Sequence, residues 1–195
     1  DPRAVQDPPT LTGDVVRHPG RAGADDPELG ATTAEYGIVM LAAVAVTCAV
    51  VLAFTVGKAF VSIPGLWSAE AHQLSQVRLN PLETFEYARV WWGPWLNLFG
   101  NIALFVPVGF VAYRGSVARA TLIGLVCSLG IEVAQYLFAW GYSDTDDVLY
   151  NVAGAALGAG VAGGTSKSNR ATALWSIAAA GAVVLTVWAA LGLSA

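Results

Sequence analysis

The chain predicts an all-α fold, a polytopic membrane bundle of about five transmembrane helices. Three observations carry this. Hydrophobic residues make up 55% of the 195 residues and charged ones only 12%, with mean hydropathy +0.57, whereas soluble domains carry roughly a quarter charged residues. The apolar residues gather into runs near the length that crosses ~30 Å of hydrocarbon. Short polar turns separate the runs. The length suits one domain or a small bundle. The net charge of −4 comes largely from the N-terminal tail, and no basic stripe points to a nucleic-acid partner.

Residues 1–34 read as a disordered, cytoplasmic tail, rich in Pro, Gly, Asp and Arg and without apolar periodicity. His18, beside Pro19, is solvated there. The chain opens on Asp1 rather than Met, as expected of a fragment or a processed product. The remainder, 35–195, is the transmembrane domain. Its first span is expected at 35–56. The entrance, GATTAEYGIVMLAAVAV, resembles the processing motif of Flp/Tad-type pilins, in which a peptidase cuts after a Gly. Gly30, Glu35 and Tyr36 match that spacing. Acidic residues at a helix N-terminus also suit the helix dipole without any cleavage. Cys48 and Cys127 lie inside apolar runs and read as small buried hydrophobes, with no support for a disulfide scaffold or a metal site.

Between 57 and 95 the chain is broken by Pro64, Pro81 and Pro94. Trp67, Phe85, Tyr87, Trp91, Trp92 and Trp95 interleave with Glu70, Arg78, Glu83, Glu86 and Arg89. Amphipathic rings sit at headgroup level, so this stretch reads as an interfacial anchor, either a surface helix or a shallow re-entrant segment. A lid or a ligand-binding wall is the alternative. His72 reads as an ordinary surface residue.

Four further spans are expected at 96–113, 118–140, 147–163 and 172–193. Pro107 falls inside one, where a kink is tolerated if neighbours satisfy the freed carbonyl. Gly154 and Gly158 form a GxxxG spacing that supports close helix contact. Arg17, Arg21, Arg114, Arg119, Lys167 and Arg170 flank one set of helix ends. By the positive-inside rule those ends are cytoplasmic, the N-terminus among them. The 57–95 segment and the acidic turn 141–146 then face outward.

Within the oily stretch 97–158, polar residues recur at helix-compatible intervals. Asn97 and Asn101 are four apart, Glu132 and Gln135 three apart, Asp147 and Asn151 four apart, so each pair shares a helix face. Polar groups in hydrocarbon are expensive and mark sites by default. Glu132 lies thirteen residues beyond Arg119, ~20 Å along a helix at 1.5 Å per residue. All the strongly polar groups then fall in the outer half of the bundle, and three helices contribute to one pocket open to the outer face. The candidate ligand-binding set is Asn97, Asn101, Glu132, Gln135, Asp144, Asp147 and Asn151. Each also has a plain role: interhelical bonding for the two Asn, capping for Asp144 or Asp146 and first-turn placement for Asp147. For Glu132 it is a neutral acid bonded to Gln135 or an Asn, since no Lys or Arg lies at matching depth in the spans.

The chemistry open to this set is acid–base work on a headgroup substrate, binding of a hard cation, or binding of a polar envelope molecule without reaction. DTDD lacks the EF-hand pattern, and there is no Ser-His-Asp set, phosphate-cradling Gly loop or zinc spacing. No metal and no cofactor are expected.

Three blocks in order, NLFGNIALFVPVGF at 97–110, Glu132-x-x-Gln135, and DTDDVLYNVAGAALG at 144–158, resemble the VanZ-like family over about residues 64–158. Asn97, Asn101, Pro107, Gly109, Glu132, Gln135, Asp144, Asp147, Asn151 and Gly154 fall where that pattern has them. Relatives often carry an Arg just before the acidic cluster, where GYS stands here at 141–143. The resemblance implies a multi-pass protein of the bacterial cell membrane and a link to teicoplanin-type antibiotic resistance; catalysis is not implied. The leading expectation is therefore a cell-envelope protein that binds or handles an envelope lipid or glycopeptide-related ligand, with membrane lipid as its surroundings and Glu132 central. The alternatives are a membrane-embedded hydrolase or transferase using Glu132 and Asp147, and a pilin-like protein processed after Gly30.

Overall fold

The computed structural model describes residues 27–63, 68–86, 88 and 90–193. Most of the expected tail, 1–26, lies outside these residues, as do Pro64, Trp67, Tyr87 and Arg89. Asp1–Ala34 and Glu35–Ala195 are separate contact units, and the site described below belongs to the second.

Five long helices carry the fold: α1 (Pro27–Thr55), α3 (Gly93–Ala112), α4 (Val117–Phe138), α5 (Thr145–Gly164) and α6 (Lys167–Leu193). α1 holds a candidate membrane span at Thr33–Thr55. α4 begins at Ser116, whose hydroxyl accepts from Arg119 N–H at 3.3 Å, and ends at Ala139, which adopts the left-handed conformation of a C-cap.

Four of these helices, all except α5, are long and apolar enough to cross a membrane. α5 falls short because it faces protein. Tyr150, Asn151, Gly154, Ala155, Gly158, Ala159 and Ala162 along it are buried, so it needs little lipid-facing bulk. The Gly154/Gly158 spacing produces the close contact its pattern implies, and the partner is α3. A Cβ on Gly154 would run into the Ile102 carbonyl, and one on Gly158 into the Val106 carbonyl. From the other side, a Cβ on Gly109 would strike the Ala155 carbonyl. The two backbones touch because Gly154 and Gly158 on α5 and Gly109 on α3 carry no side chain at the crossing. Apolar clusters flank this seam. Val39, Ala43, Phe110, Val111, Ala162 and Leu174 pack together at one level, and Val51, Phe105 and Ala155 at another.

The 57–95 segment is not one surface helix. It runs through 3₁₀ turns at Gly57–Ala59 and Glu70–His72, strand β1 (Ser75–Arg78), and a single helical turn, α2 (Glu83–Glu86). β1 pairs in parallel with β2 (Gly141–Asp144), in the register Ser75↔Gly141 to Arg78↔Asp144. Parallel strands need a long crossover, and here α3 and α4 form it. The Ser75 hydroxyl donates to the Tyr136 carbonyl at 2.8 Å, and the Thr145 hydroxyl to the Arg78 carbonyl at 3.2 Å. The segment is thus fastened across the ends of α4 and α5 and forms a wall. Aromatic rings ring this end: Trp95 packs against Phe85 and Phe99, and Trp140 against Phe60 and Phe138.

The opposite end is basic. Arg114 donates to the carbonyls of Val111 and Tyr113 at 2.8 and 3.0 Å. Arg170 donates to the Ala162 carbonyl at 3.1 Å and lies over the Tyr113 ring. These cations meet carbonyls that helix ends leave without intrahelical partners.

Candidate functional site

At the aromatic end, α3 and α5 meet through a three-residue polar knot. Asn97 and Asn101, one turn apart on α3, both aim their amides at Asp147 in the first turn of α5. Asn97 Nδ2 donates to Asp147 Oδ1 at 2.8 Å and Asn101 Nδ2 to the same oxygen at 2.7 Å. Asn101 Nδ2 also donates to Asn97 Oδ1 at 3.1 Å. Two amides converging on one carboxylate oxygen fix that carboxylate, and charge-assisted bonds of this kind are the stronger sort.

Outside the spans, Lys58 adds a cation beside Asp147. It follows α1 in the first 3₁₀ turn, and its ammonium interacts electrostatically with Asp147. Burial holds the Lys58 amine below its ordinary range, while the Asp147 charge acts against that shift. Lys58 is one of two lysines in the chain and stands just past a long apolar run. That lone placement was the signal available in the sequence.

Glu132 does not bond to Gln135 or an Asn. Its Oε2 accepts from the Asp144 backbone N–H at 2.8 Å. The carboxylate, 5% exposed, therefore pins β2 to α4. Asp144 in turn caps α5: its Oδ1 accepts from Asp146 N–H at 2.9 Å. Burial pushes the Asp144 carboxyl up to about 6, the Asp146 N–H opposes this, and the charges of Asp147 and Asp146 add to it. Asp146, fully buried, accepts from Leu82 N–H at 2.7 Å and so ties the wall to α5. Asp146, read from the sequence only as a possible cap and left outside the candidate set, faces inward, and nothing in DTDD distinguishes which acid does so.

Gln135 and Asn151 lie apart from the knot. Gln135 Nε2 donates to the Thr55 carbonyl at the end of α1, 3.1 Å away. Asn151, 2% exposed, donates to Ser128 Oγ at 3.0 Å, joining α5 to α4. The seven candidate residues thus do not share one hydrogen-bonded cluster. Asn97, Asn101 and Asp147 come together, Glu132 and Asp144 form a second group, and Gln135 and Asn151 are separate helix-to-helix ties. Among the described residues, no three His, Cys, Asp or Glu side chains are grouped so as to hold a metal ion.

Beside the knot lies a half-open cavity of about 420 Å³ whose wall includes Lys58, His72, Asn97 and Asn101. His72, expected to be an ordinary surface residue away from the cluster, lines it. Its Nδ1 lies 2.9 Å from the Ser68 carbonyl, an acceptor only, so that nitrogen carries the proton and Nε2 is left as the other ring nitrogen. Among the described residues, no carboxylate lines it.

A family model described as VanZ/LLP1 matches residues 44–164, well over half of the chain. The chain belongs to the VanZ/LLP1 family. It is a membrane protein, and the match embraces every element of the site, from Lys58 through Asn151. The pilin-like motif at 30–36 lies outside the matched residues, as does α6. No curated protein and no solved structure matches the chain.

Proposed function

We propose that this VanZ/LLP1 protein is a multi-pass protein of the bacterial cell membrane, with a cytoplasmic N-terminus, that binds an envelope lipid or glycopeptide-related ligand and is linked to teicoplanin-type resistance. The observation that carries this is the cavity lined by Lys58, His72, Asn97 and Asn101 and backed by Asp147. Its polar groups are held before a ligand arrives, which lowers the ordering cost of binding. The basic turns at the far end of the bundle support placing that end inside and the cavity outside.

Teicoplanin susceptibility in a sensitive host tests the reading, comparing empty vector, wild type, Asp147→Asn and Glu132→Gln at matched membrane expression. Asp147→Asn keeps the shape but removes the charge facing Lys58. Wild-type protection that Asp147→Asn diminishes is the expected result. Protection equal in all three proteins would overturn the role of the knot. Cleavage after Gly30 is a separate proposal, read by intact mass on co-expression with a prepilin peptidase.

A further inference from the structure

At the aromatic end, the wall that follows β1 makes an exposed turn, LNPL at 79–82. Pro81 followed by a residue of positive φ is the pattern of a type II turn, whose third position ordinarily takes glycine. Here that position holds Leu82, at φ 67°, a conformation in which a Cβ brings strain. The strained residue is held from beneath: the Leu82 N–H donates to Oδ1 of fully buried Asp146 at 2.7 Å. Its side chain gives the fold little in return, because Leu82 is 54% exposed. Leu79, on the other side of the turn, is 74% exposed.

The apolar surface does not stop at the turn. The Phe85 N–H donates to the Leu82 carbonyl at 2.9 Å, and the Phe85 ring meets the Trp95 ring edge-on, centroids 5.2 Å apart. Trp95 stacks on Phe99, and both are exposed on α3, a helix long and apolar enough to cross a membrane. Trp91, 83% exposed, and Trp92 stand just before that helix, at the depth where Trp rings favour the headgroup layer. The turn is thus joined to the exposed face of a membrane helix by contacts within the protein. Arg78, which precedes the turn, lies over the Tyr142 ring at 4.3 Å, so its charge is directed onto β2.

We propose that the 79–82 turn is a membrane-seated tip, with Leu79 and Leu82 entering the leaflet at this end of the bundle and Asp146 holding Leu82 in its outward position. The partner is the lipid surface itself. The boundary between headgroups and acyl chains withdraws the two leucines from water. A glycine at position 82 would form the same turn without strain, but it would make no such contact. The anchor expected within 57–95 thereby narrows to one turn with a buried tie. This goes beyond the proposed function, and none of Leu79, Leu82 and Asp146 lines the polar cavity.

Fluorescence quenching of the full chain in liposomes of phosphatidylcholine and phosphatidylglycerol tests this. Leu79→Cys, Leu82→Cys and Ala71→Cys are made singly in a Cys48→Ala, Cys127→Ala background and labelled with an environment-sensitive fluorophore. Ala71 is exposed on the same segment, next to exposed Glu70. Labels at 79 and 82 should be quenched several-fold more by nitroxides on lipid acyl chains than by aqueous iodide, and the label at 71 more by iodide. Iodide quenching at 79 and 82 equal to that at 71 would put the turn in water and overturn the proposal. Resistance to both quenchers would mean that protein, such as a second copy, covers the turn, and would overturn it equally. Melting temperature in detergent checks Leu82 separately. Leu82→Gly relieves the strained φ and removes an exposed side chain, so it should melt close to or above the wild-type temperature. A clearly lower value would mean that the leucine serves packing within the fold, against the proposal.

Discussion

α5 and α6 are neighbours in sequence and opposites in role. α6 is among the helices most plainly suited to lipid, yet only Leu174 and Ala178 along it are buried. α5 is too small-residue rich to count as a membrane helix by composition, and it is the element on which α3 and α4 close. Apolarity records how much of a helix faces lipid. It does not record how much of the fold depends on it.

The contrast is broken most directly inside α5 itself. Gly158→Leu would drive a side chain into the α3 backbone and is expected to cost about 3 kcal/mol or more, read as loss of a cooperative melting transition in detergent. Gly160→Leu, two residues away with open space for a Cβ, should melt like wild type; equal damage from both would mean that α5 does not pack as described. Next in size, Asp147→Ala leaves the Asn97 and Asn101 amides facing an emptied position beside Lys58. A buried pair broken from one side costs about 3 kcal/mol, measurable as a lower melting temperature. Asn151→Ala should cost about 1 kcal/mol, in line with interhelical hydrogen bonds in membrane proteins, and Ser128→Ala should add little on top of it.

A smaller effect is expected from acid. The Asp144 carboxyl titrates from 3.8 when free to about 6 in the fold, so the folded state holds its proton more tightly. Its contribution to stability is fully present below about pH 3.8 and is lost as pH rises through about 6. Asp144→Asn retains a capping oxygen and cannot titrate, so melting temperature followed from pH 4 to 7 should vary less in the variant. Smallest of all, Val183→Ala on the exposed face of α6 should change stability by less than about 0.5 kcal/mol. A loss comparable to the α5 variants would place α6 in the packing core.

Much of this was legible in the chain. Five long apolar or small-residue runs became five long helices, with ends shifted by caps such as Ser116 and Asp144. The Asn97/Asn101 spacing placed two amides on one face because an i, i+4 relation is enforced by the helix alone. What faces them is a tertiary fact. Nothing local to VGKAF announces that Lys58 sits beside Asp147, and nothing in SQVR or GYSD, four residues each without alternation, announces a strand pair. Glu132 illustrates the limit well. Its cost in an apolar setting was evident, but its partner is a backbone N–H, which every residue carries and no sequence displays.

The parallel pairing of β1 with β2 also sets an order of assembly. Leu82 and Asp146, which bond across the wall, are 64 residues apart in the chain. At synthesis rates of about 5–20 residues per second, the first partner is made several seconds before the second. During that interval the segment between α1 and α3 has an unpaired strand edge and Lys58 is not yet faced by Asp147. The mouth of the cavity is therefore among the last parts of the molecule to exist, completed only once α5 has been delivered.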